Sequence, residues 1–483
     1  MRNDNSSLFD YDAVFIGGGG AGRAGAMYLR KQGKKVLLID RDNHFGGKCP
    51  KNACYAHHLF YDCAVELDFF RQFAGKLWWP QFDRKVPIRP VIELFKAKRD
   101  KTYEGILYGV KNSGMDYILD HEARIREPNV VETGQKEITA GALVVATGAR
   151  AHLPPVPGVG LKGVFTYESL IEQLDYEPEK VLVIGASKVG VPYASFFNAC
   201  GCETTLVDRV PFLTFLDDEV RDYVIHGMVG RGMSILQETQ VQEIMGRDRV
   251  QSVRLRKGGQ EYVVDADTVF ISAGMIPDSE IVQHLGVERG TNCEIRVNSR
   301  METNIPGIYA AGDVIGPPME LWKARKSGIV AARNILGQTT ELRFDLYPEQ
   351  LHSTYEISWV GLTEKQAREK FDDVRVLKMG IKDANKPGIT PMAERMMLMG
   401  HIYPEKTGFQ KMLYDGPSGK VLGLHHVGYG AKDSFSYLAY LMEKGLTIEQ
   451  LAGMTELFMN SSRFIQMARQ AAATPPSPQG VNA

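Results

Sequence analysis

Neither sign of charge is in excess: 57 Lys and Arg stand against 58 Asp and Glu, a net charge of −1. Without a basic surplus the chain cannot neutralise many phosphates, which argues against nucleic acid as its main partner. Long apolar runs are also missing. No stretch approaches the ~20 residues of a membrane-spanning helix, and the opening MRNDNSSLFD lacks the basic-then-apolar order of a secretion signal. A cytoplasmic location without membrane contact is expected. Cysteine is scarce, six in 483 residues, too few for a disulfide scaffold, so a pair in a reducing compartment is better suited to catalysis than to structure. No His, Cys, Asp and Glu constellation has metal-ligand spacing, and no metal is expected. What is present is ordinary globular composition, 44% hydrophobic and 24% charged, on a length that suits two or three domains. Glycine is the surplus, with 49 residues, many clustered behind apolar runs.

The first cluster follows the apolar run Asp12 to Ile16 and precedes a stretch with helical spacing. In that strand, turn, helix order Gly17 permits the turn, Gly19 lets backbone approach a pyrophosphate, and Gly22 lets the helix pack on its sheet. A second apolar run ends at Asp40, 18 residues past Gly22 and placed to accept from a ribose hydroxyl. The unit recurs from Val181, with Gly185, Ser187 and Gly190 in the turn and Asp208 closing the next strand. Two dinucleotide sites are therefore expected in one chain. Ser187 replaces the middle glycine and crowds the second site. Asp208 favours the free 2′-hydroxyl of NADH, whereas Arg209 suits a 2′-phosphate, and the choice stays open. Leu143 to Gly148, which includes Thr147, and Val269 to Gly274 each read as a buried strand stopping at glycine. Asp313, after the strand of PGIYAAGDVIG, suits either a ribityl chain or a helix N-terminus.

Between the first site and the rest lies GGKCPKNACYAHH, residues 46 to 58, in which four residues separate Cys49 from Cys54. On about one helical turn both sulfurs face the same side and close a small reducible ring. Two buried thiols are the plainer alternative; the neighbouring dinucleotide sites favour redox chemistry.

With these motifs the chain resembles the flavin-dependent pyridine nucleotide disulfide oxidoreductases from Asp12 to about Arg469. The resemblance implies an α/β fold of two Rossmann-like domains, for FAD and NAD(P), and a C-terminal α+β dimerisation domain. The expected segments are 1–172 with 285–345 for FAD, 173–284 for NAD(P)H, 346–470 for the interface, and a disordered tail over 471–483. It also implies a homodimer in which Cys54 exchanges electrons with flavin while Cys49 meets substrate. Cofactor contacts fall on Gly17, Gly19, Gly22, Asp40, Gly47, His57, Thr147, Gly148 and Asp313 for FAD, and on Gly185, Ser187, Gly190, Asp208, Arg209 and Gly274 for NAD(P)H.

Departures from the family pattern are informative. The usual lysine after the second cysteine and its glutamate partner are His57 and Pro192 here, and the C-terminal His and Glu that shuttle protons are Phe458 and Arg463. One branch, the 2-ketopropyl-coenzyme M oxidoreductase/carboxylases, shares the phenylalanine. This sequence resembles it in CPKNACYAHH, LDYEPEKV, KARKSG, GFQK, LHHVGYGAKD and ELFMNSSRFIQ. The resemblance implies attack of Cys49 on a thioether sulfur and release of an enolate that takes up CO₂. An apolar ring at 458 removes the proton source that would quench the enolate.

Arg23 and Arg325 resemble the arginines that grip the sulfonate in that branch, as guanidinium forks suit an oxyanion. The plainer readings are pyrophosphate contact for Arg23 and a surface ion pair for Arg325. Lys51 and Lys406 stand at pocket positions that are uncharged or neutral in the branch, so the expected substrate is anionic. Arg463, a permanent cation, is expected to lower the Cys49 pKa or to hold CO₂ or a carboxylate. The rival readings are a disulfide or metal-ion reductase of the same family and a non-catalytic flavin sensor or electron-transfer subunit.

Overall fold

The structure, a computed structural model, describes residues 8–74, 81, 85–134, 136–344, 346–380, 408–428, 430–433, 435–455 and 463–473. Four helices position the site: α1 (Gly20–Lys31), α2 (Cys54–Phe73), α3 (Gly190–Cys200) and α4 (Leu321–Ile335).

Ala13–Ile16, four apolar residues buried on both faces, forms the centre of a five-stranded parallel sheet. Such strands need cover on each side, and they read as continuous apolar runs for that reason. Val36–Ile39 and then Asp116–Ile118 lie to one side, and Leu143–Val145 and then Ile308–Ala310 to the other. A second parallel sheet places Lys180–Ile184 between Glu203–Val207 and Thr268–Ile271. Val164–Phe165, inside the segment expected to belong to the first unit, pairs with Thr268–Ile271 at the edge of this second sheet. The third sheet is antiparallel, in the order Glu349–His352, Glu356–Gly361, Val421–Val427, Phe409–Asp415, Val374–Gly380. Two Rossmann-like units and a C-terminal α+β unit are thus present, as expected.

Two helix contacts decide where chemistry can occur. α2 packs on α3 through Phe60, stacked on Phe196 at 4.4 Å and edge-on to Tyr193 at 5.4 Å. Each fully buried ring contributes about 1.5–3 kcal/mol. This brings the start of the second nucleotide helix beside the cysteine-bearing helix. α1 crosses α4 at glycines: a Cβ on Gly25 would lie 2.5 Å from the Gly328 carbonyl, and one on Gly328 2.1 Å from that of Ala21. Only bare backbone permits that approach, and it brings Arg23 and Arg325 to the same place.

The helix Arg89–Asn112 starts with Pro90 in its first turn, where a missing N–H costs nothing. The last helix continues through Ala473, beyond the expected boundary at 470. Residues 474–483, the rest of the expected tail, lie outside the described residues. No helix among the described residues is long and apolar enough to cross a membrane.

Candidate functional site

The two glycine turns superimpose in their logic. Gly17 and Gly185 hold φ of +105° and +102°, a region that favours glycine, and Cβ atoms on Gly22 and Gly190 would fall 1.9 Å from the carbonyls of Gly17 and Gly185. Asp40 accepts from Gly18 N–H at 2.6 Å and Asp42 N–H at 2.9 Å; Asp208 accepts from Ala186 N–H at 2.8 Å and Val210 N–H at 3.2 Å. Each acid thus fixes its own loop. Burial pushes the Asp40 carboxyl upward, and the two N–H donors oppose that.

The first loop fits FAD. A Cβ on Gly47 would come 2.9 Å from the Cα of Gly19, so two glycine backbones face each other across a cradle that a side chain would fill. Beside it, His57 Nε2 and Asn52 Oδ1 are buried with no hydrogen-bond partner among the described residues, polar atoms that a bound cofactor can satisfy. Thr147 donates to the Asp278 carbonyl at 2.6 Å, and Gly148 accepts from Asp278 N–H at 2.9 Å, which pins the end of the Leu143–Val145 strand. Gly274 holds φ of +107°.

The cysteines do not share one continuous helix. Cys49 sits in the short helix Lys48–Lys51, the chain breaks at Asn52 and Ala53, and Cys54 begins α2. Asn52 donates to the Glu168 carbonyl at 3.1 Å, anchoring the break. The thiols are free and hydrogen-bonded to one another. The Cys54 S–H stabilises the Cys49 thiolate and, against the opposing effect of burial, Arg325 and Arg23 lower the Cys49 pKa further. Cys54 is pushed far up by the same hydrogen bond and by burial, so the shared proton resides on Cys54. Cys49 is thus the more acidic thiol of the pair. Burial and the neighbouring Arg325 charge also depress the Arg23 pKa, an unfavourable pairing of cations that an anionic ligand relieves.

An expected result follows from that geometry. In the reduced protein, iodoacetamide labels Cys49 first, with a pH midpoint below that of an ordinary thiol. In Arg23→Met and Arg325→Met the midpoint moves up and labelling at neutral pH slows about three- to tenfold. An unchanged pH profile would remove the arginines from the thiolate's surroundings.

Around the pair lie Asp313 and His57, expected from the sequence, and Lys323, Glu168 and His352, which sequence reasoning did not single out. Lys323, 0% exposed, donates to the Gly316 carbonyl, and burial drops its pKa to about 8 against the pull of Asp313. Asp313 opens the short helix Asp313–Ile315, and burial raises it to about 6, opposed by Lys323 and Lys48. Lys48 pairs with Glu168, which also accepts from Tyr167 O–H at 3.2 Å. The apolar spacing of α4 signals that position 323 faces inward; nothing local signals Lys48 to Glu168, 120 residues apart. His57 forms a cluster with His58 and His352, ring centroids 5.6, 5.3 and 5.2 Å apart. Burial lowers His57 to about 3 and His352 to about 2, so both are neutral imidazoles. Among the described residues no group of His, Cys, Asp and Glu could hold a metal ion.

The remaining expected residues are placed as follows. Lys51 is tied to Asp42 at 2.8 Å, and its carbonyl accepts from Arg99 at 3.4 Å. Arg209 is exposed beside Asp208. Arg463 is 3% exposed; its N–H donates to Gln410 at 2.6 Å and its guanidinium to Gln466 at 3.3 Å. It is not among the groups that act most strongly on Cys49 within one chain, which are Cys54, Arg325, Arg23 and Asp313. Phe458 and Lys406 lie outside the described residues.

Comparison with known proteins agrees with this geometry. Residues 11–328 match the pyridine nucleotide-disulphide oxidoreductase family and residues 347–458 its dimerisation domain. Similar proteins include a mercuric reductase from Staphylococcus aureus, 27% identical over 95% of this chain and 82% of that protein. A dihydrolipoyl dehydrogenase from Mycoplasma pneumoniae is 27% identical over 92% of this chain and 94% of that protein. Among solved structures, a Cu(II) complex of the HOCl-induced flavoprotein disulfide reductase RclA from Escherichia coli has a TM-score of 0.81 at 21% identity, covering 95% and 99% of the two chains. The chain belongs to the pyridine nucleotide-disulphide oxidoreductase family. It is an FAD- and NAD(P)H-dependent oxidoreductase with a redox-active cysteine pair, and its dimerisation domain fits the expected homodimer.

Proposed function

We propose that this oxidoreductase cleaves a small anionic thioether reductively and carboxylates the enolate it releases, as the 2-ketopropyl-coenzyme M branch does. The carrying observation is a Cys49 thiol whose acidity is raised by Cys54 and by the nearby Arg325 and Arg23 guanidinium groups. The guanidinium pair receives the substrate's sulfonate or a like anion. The Cys49 thiolate attacks the thioether sulfur; a sulfur–sulfur bond forms, the sulfur–carbon bond breaks, and its electron pair leaves on the carbon as an enolate. The enolate adds to CO₂ and gives a β-keto carboxylate. Cys54, giving up its proton, attacks Cys49 in the mixed disulfide, expels the carrier thiolate and closes the Cys49 to Cys54 disulfide. Bound FAD would supply the two-electron path from NAD(P)H by which the Cys49 to Cys54 disulfide returns to the dithiol.

Phe458 excludes protons from the enolate in this scheme. Within one chain Arg463 is not among the groups acting most strongly on Cys49, so the proposal sets the 458–463 segment against the cysteines of the other subunit of a homodimer. Lys51 and Lys406 add positive charge near the anion's entry. A cytoplasmic location supplies the reducing setting that free thiols need. In Phe458→His the enolate is protonated instead, and the product shifts from carboxylate to ketone by about tenfold or more. Chromatography of products formed with labelled CO₂ reads that ratio; an unchanged ratio contradicts proton exclusion.

A second reading, a disulfide or metal-ion reductase, is favoured by the likeness to mercuric reductases and dihydrolipoyl dehydrogenases. Rapid NAD(P)H oxidation with lipoamide, glutathione disulfide or Hg(II), independent of CO₂, would establish it in place of the first.

A further inference from the structure

The two nucleotide loops are built alike but differ at their centre. In the first, Gly19 leaves the cradle open, with the Gly47 Cα at 3.8 Å the nearest atom to a Cβ added there. In the second, Ser187 Oγ accepts from the N–H groups of Val189 at 3.1 Å and Gly190 at 3.0 Å, and pairs with Ser272 Oγ at 2.6 Å. The amides at the head of α3 that would receive a pyrophosphate are already capped by the loop's own hydroxyl.

The next side chain is also engaged. The Lys188 ammonium lies 2.6 Å from Glu349 and 3.3 Å from Glu320, and 5.2 Å from the centre of the Trp359 ring. Glu320 precedes α4 of the first unit, and Glu349 opens the first strand of the interface sheet. One ammonium thus ties the second nucleotide loop to both other parts of the molecule. The three charged side chains are only 25–29% exposed, so solvent screens the contact in part.

We propose that Ser187 and Lys188 form a built-in gate on the NAD(P)H site: the loop holds itself closed with its own hydroxyl and ammonium, and the nucleotide binds by displacing both. Pyrophosphate oxygens take the Val189 and Gly190 N–H groups from Ser187, and the loop movement that admits them draws Lys188 from Glu320 and Glu349 toward the incoming anion. The gate sets nucleotide affinity and does not depend on which substrate Cys49 attacks, so it stands or falls separately from the thioether reading.

Calorimetric titration of the oxidised, FAD-loaded protein with NAD⁺ and with NADP⁺ tests the gate without turnover. Ser187→Gly, which restores the open glycine of the first loop, tightens binding about three- to tenfold, the worth of one net hydrogen bond no longer competing. Glu349→Gln lies on another unit and removes only half of the latch; it tightens binding in the same direction. If both variants retain FAD and wild-type melting temperatures yet bind the nucleotides as in the wild type or more weakly, the gate is refuted, and Ser187 and Glu349 are structural.

Discussion

Cys49→Ala leaves the flavin reducible by NAD(P)H and lowers substrate turnover by at least about 10³-fold. The loss is large because nothing nearby can take over as nucleophile. In this variant the hydrogen bond to Cys49 is gone, but burial still raises the Cys54 pKa and keeps its thiolate scarce. The other cysteines carry no comparable context: burial raises Cys63, Cys200 and Cys202. Cys54→Ala behaves differently. Cys49 still attacks once, but the mixed disulfide has no partner thiol, so product release stops at one equivalent per site. Rapid-mixing absorbance of the flavin, combined with product measurement, separates the two variants. Equal, multiple-turnover activity in either would show that the pair is not the reaction centre.

The largest stability effect is expected at Lys411, 1% exposed on the strand Phe409–Asp415. Its ammonium lies 2.8 Å from Asp217, 2.9 Å from Glu219 and 2.7 Å from Glu364, joining the second nucleotide unit to the interface sheet. Lys411→Met leaves the buried Asp217 without its cation, while Glu219 keeps Lys378 and Glu364 keeps Arg368, and costs about 3–5 kcal/mol. Burial works to raise Asp217, but Lys411 and the Glu364 N–H outweigh it and hold the carboxyl below its ordinary value; Glu219 and Glu364 are depressed in the same way. Their contribution is therefore present above the unfolded carboxylate range and lost as pH falls through the lower folded values. Lys411 itself is raised, so its share is lost only in strong alkali. Urea unfolding should show the full deficit at neutral pH and a narrowing one in acid. A deficit independent of acid pH would mean that the ammonium does no more than fill space.

What was legible in the sequence follows from which forces act locally. Glycine turns, their preceding apolar strands and the closing acids appear within about 30 residues, because loop and helix terminus must contact the same phosphates. The pairing of Gly25 with Gly328 was not legible, yet it is what sets Arg23 beside Arg325; only the whole-chain resemblance joined those two residues. The cysteine spacing suggested one helix, whereas Asn52 ends it early by bonding to the distant Glu168 carbonyl. Ser187 was read as a small side chain that crowds the pyrophosphate. Its hydroxyl instead occupies the loop's own amides, a hydrogen-bond choice that residue size does not reveal. The ion pair of Lys51 with Asp42, nine residues earlier, was not legible either.

The most direct measurement is a single turnover of the NAD(P)H-reduced protein with a sulfonate-bearing 2-ketopropyl thioether, quenched in acid and mapped by peptide mass spectrometry. The expected result is the carrier thiol attached to Cys49 through a disulfide, in amounts matching the carboxylated ketone formed. Unmodified Cys49 with the thioether intact, in protein that reduces lipoamide or Hg(II) rapidly, would contradict thiolate attack on a carbon–sulfur bond.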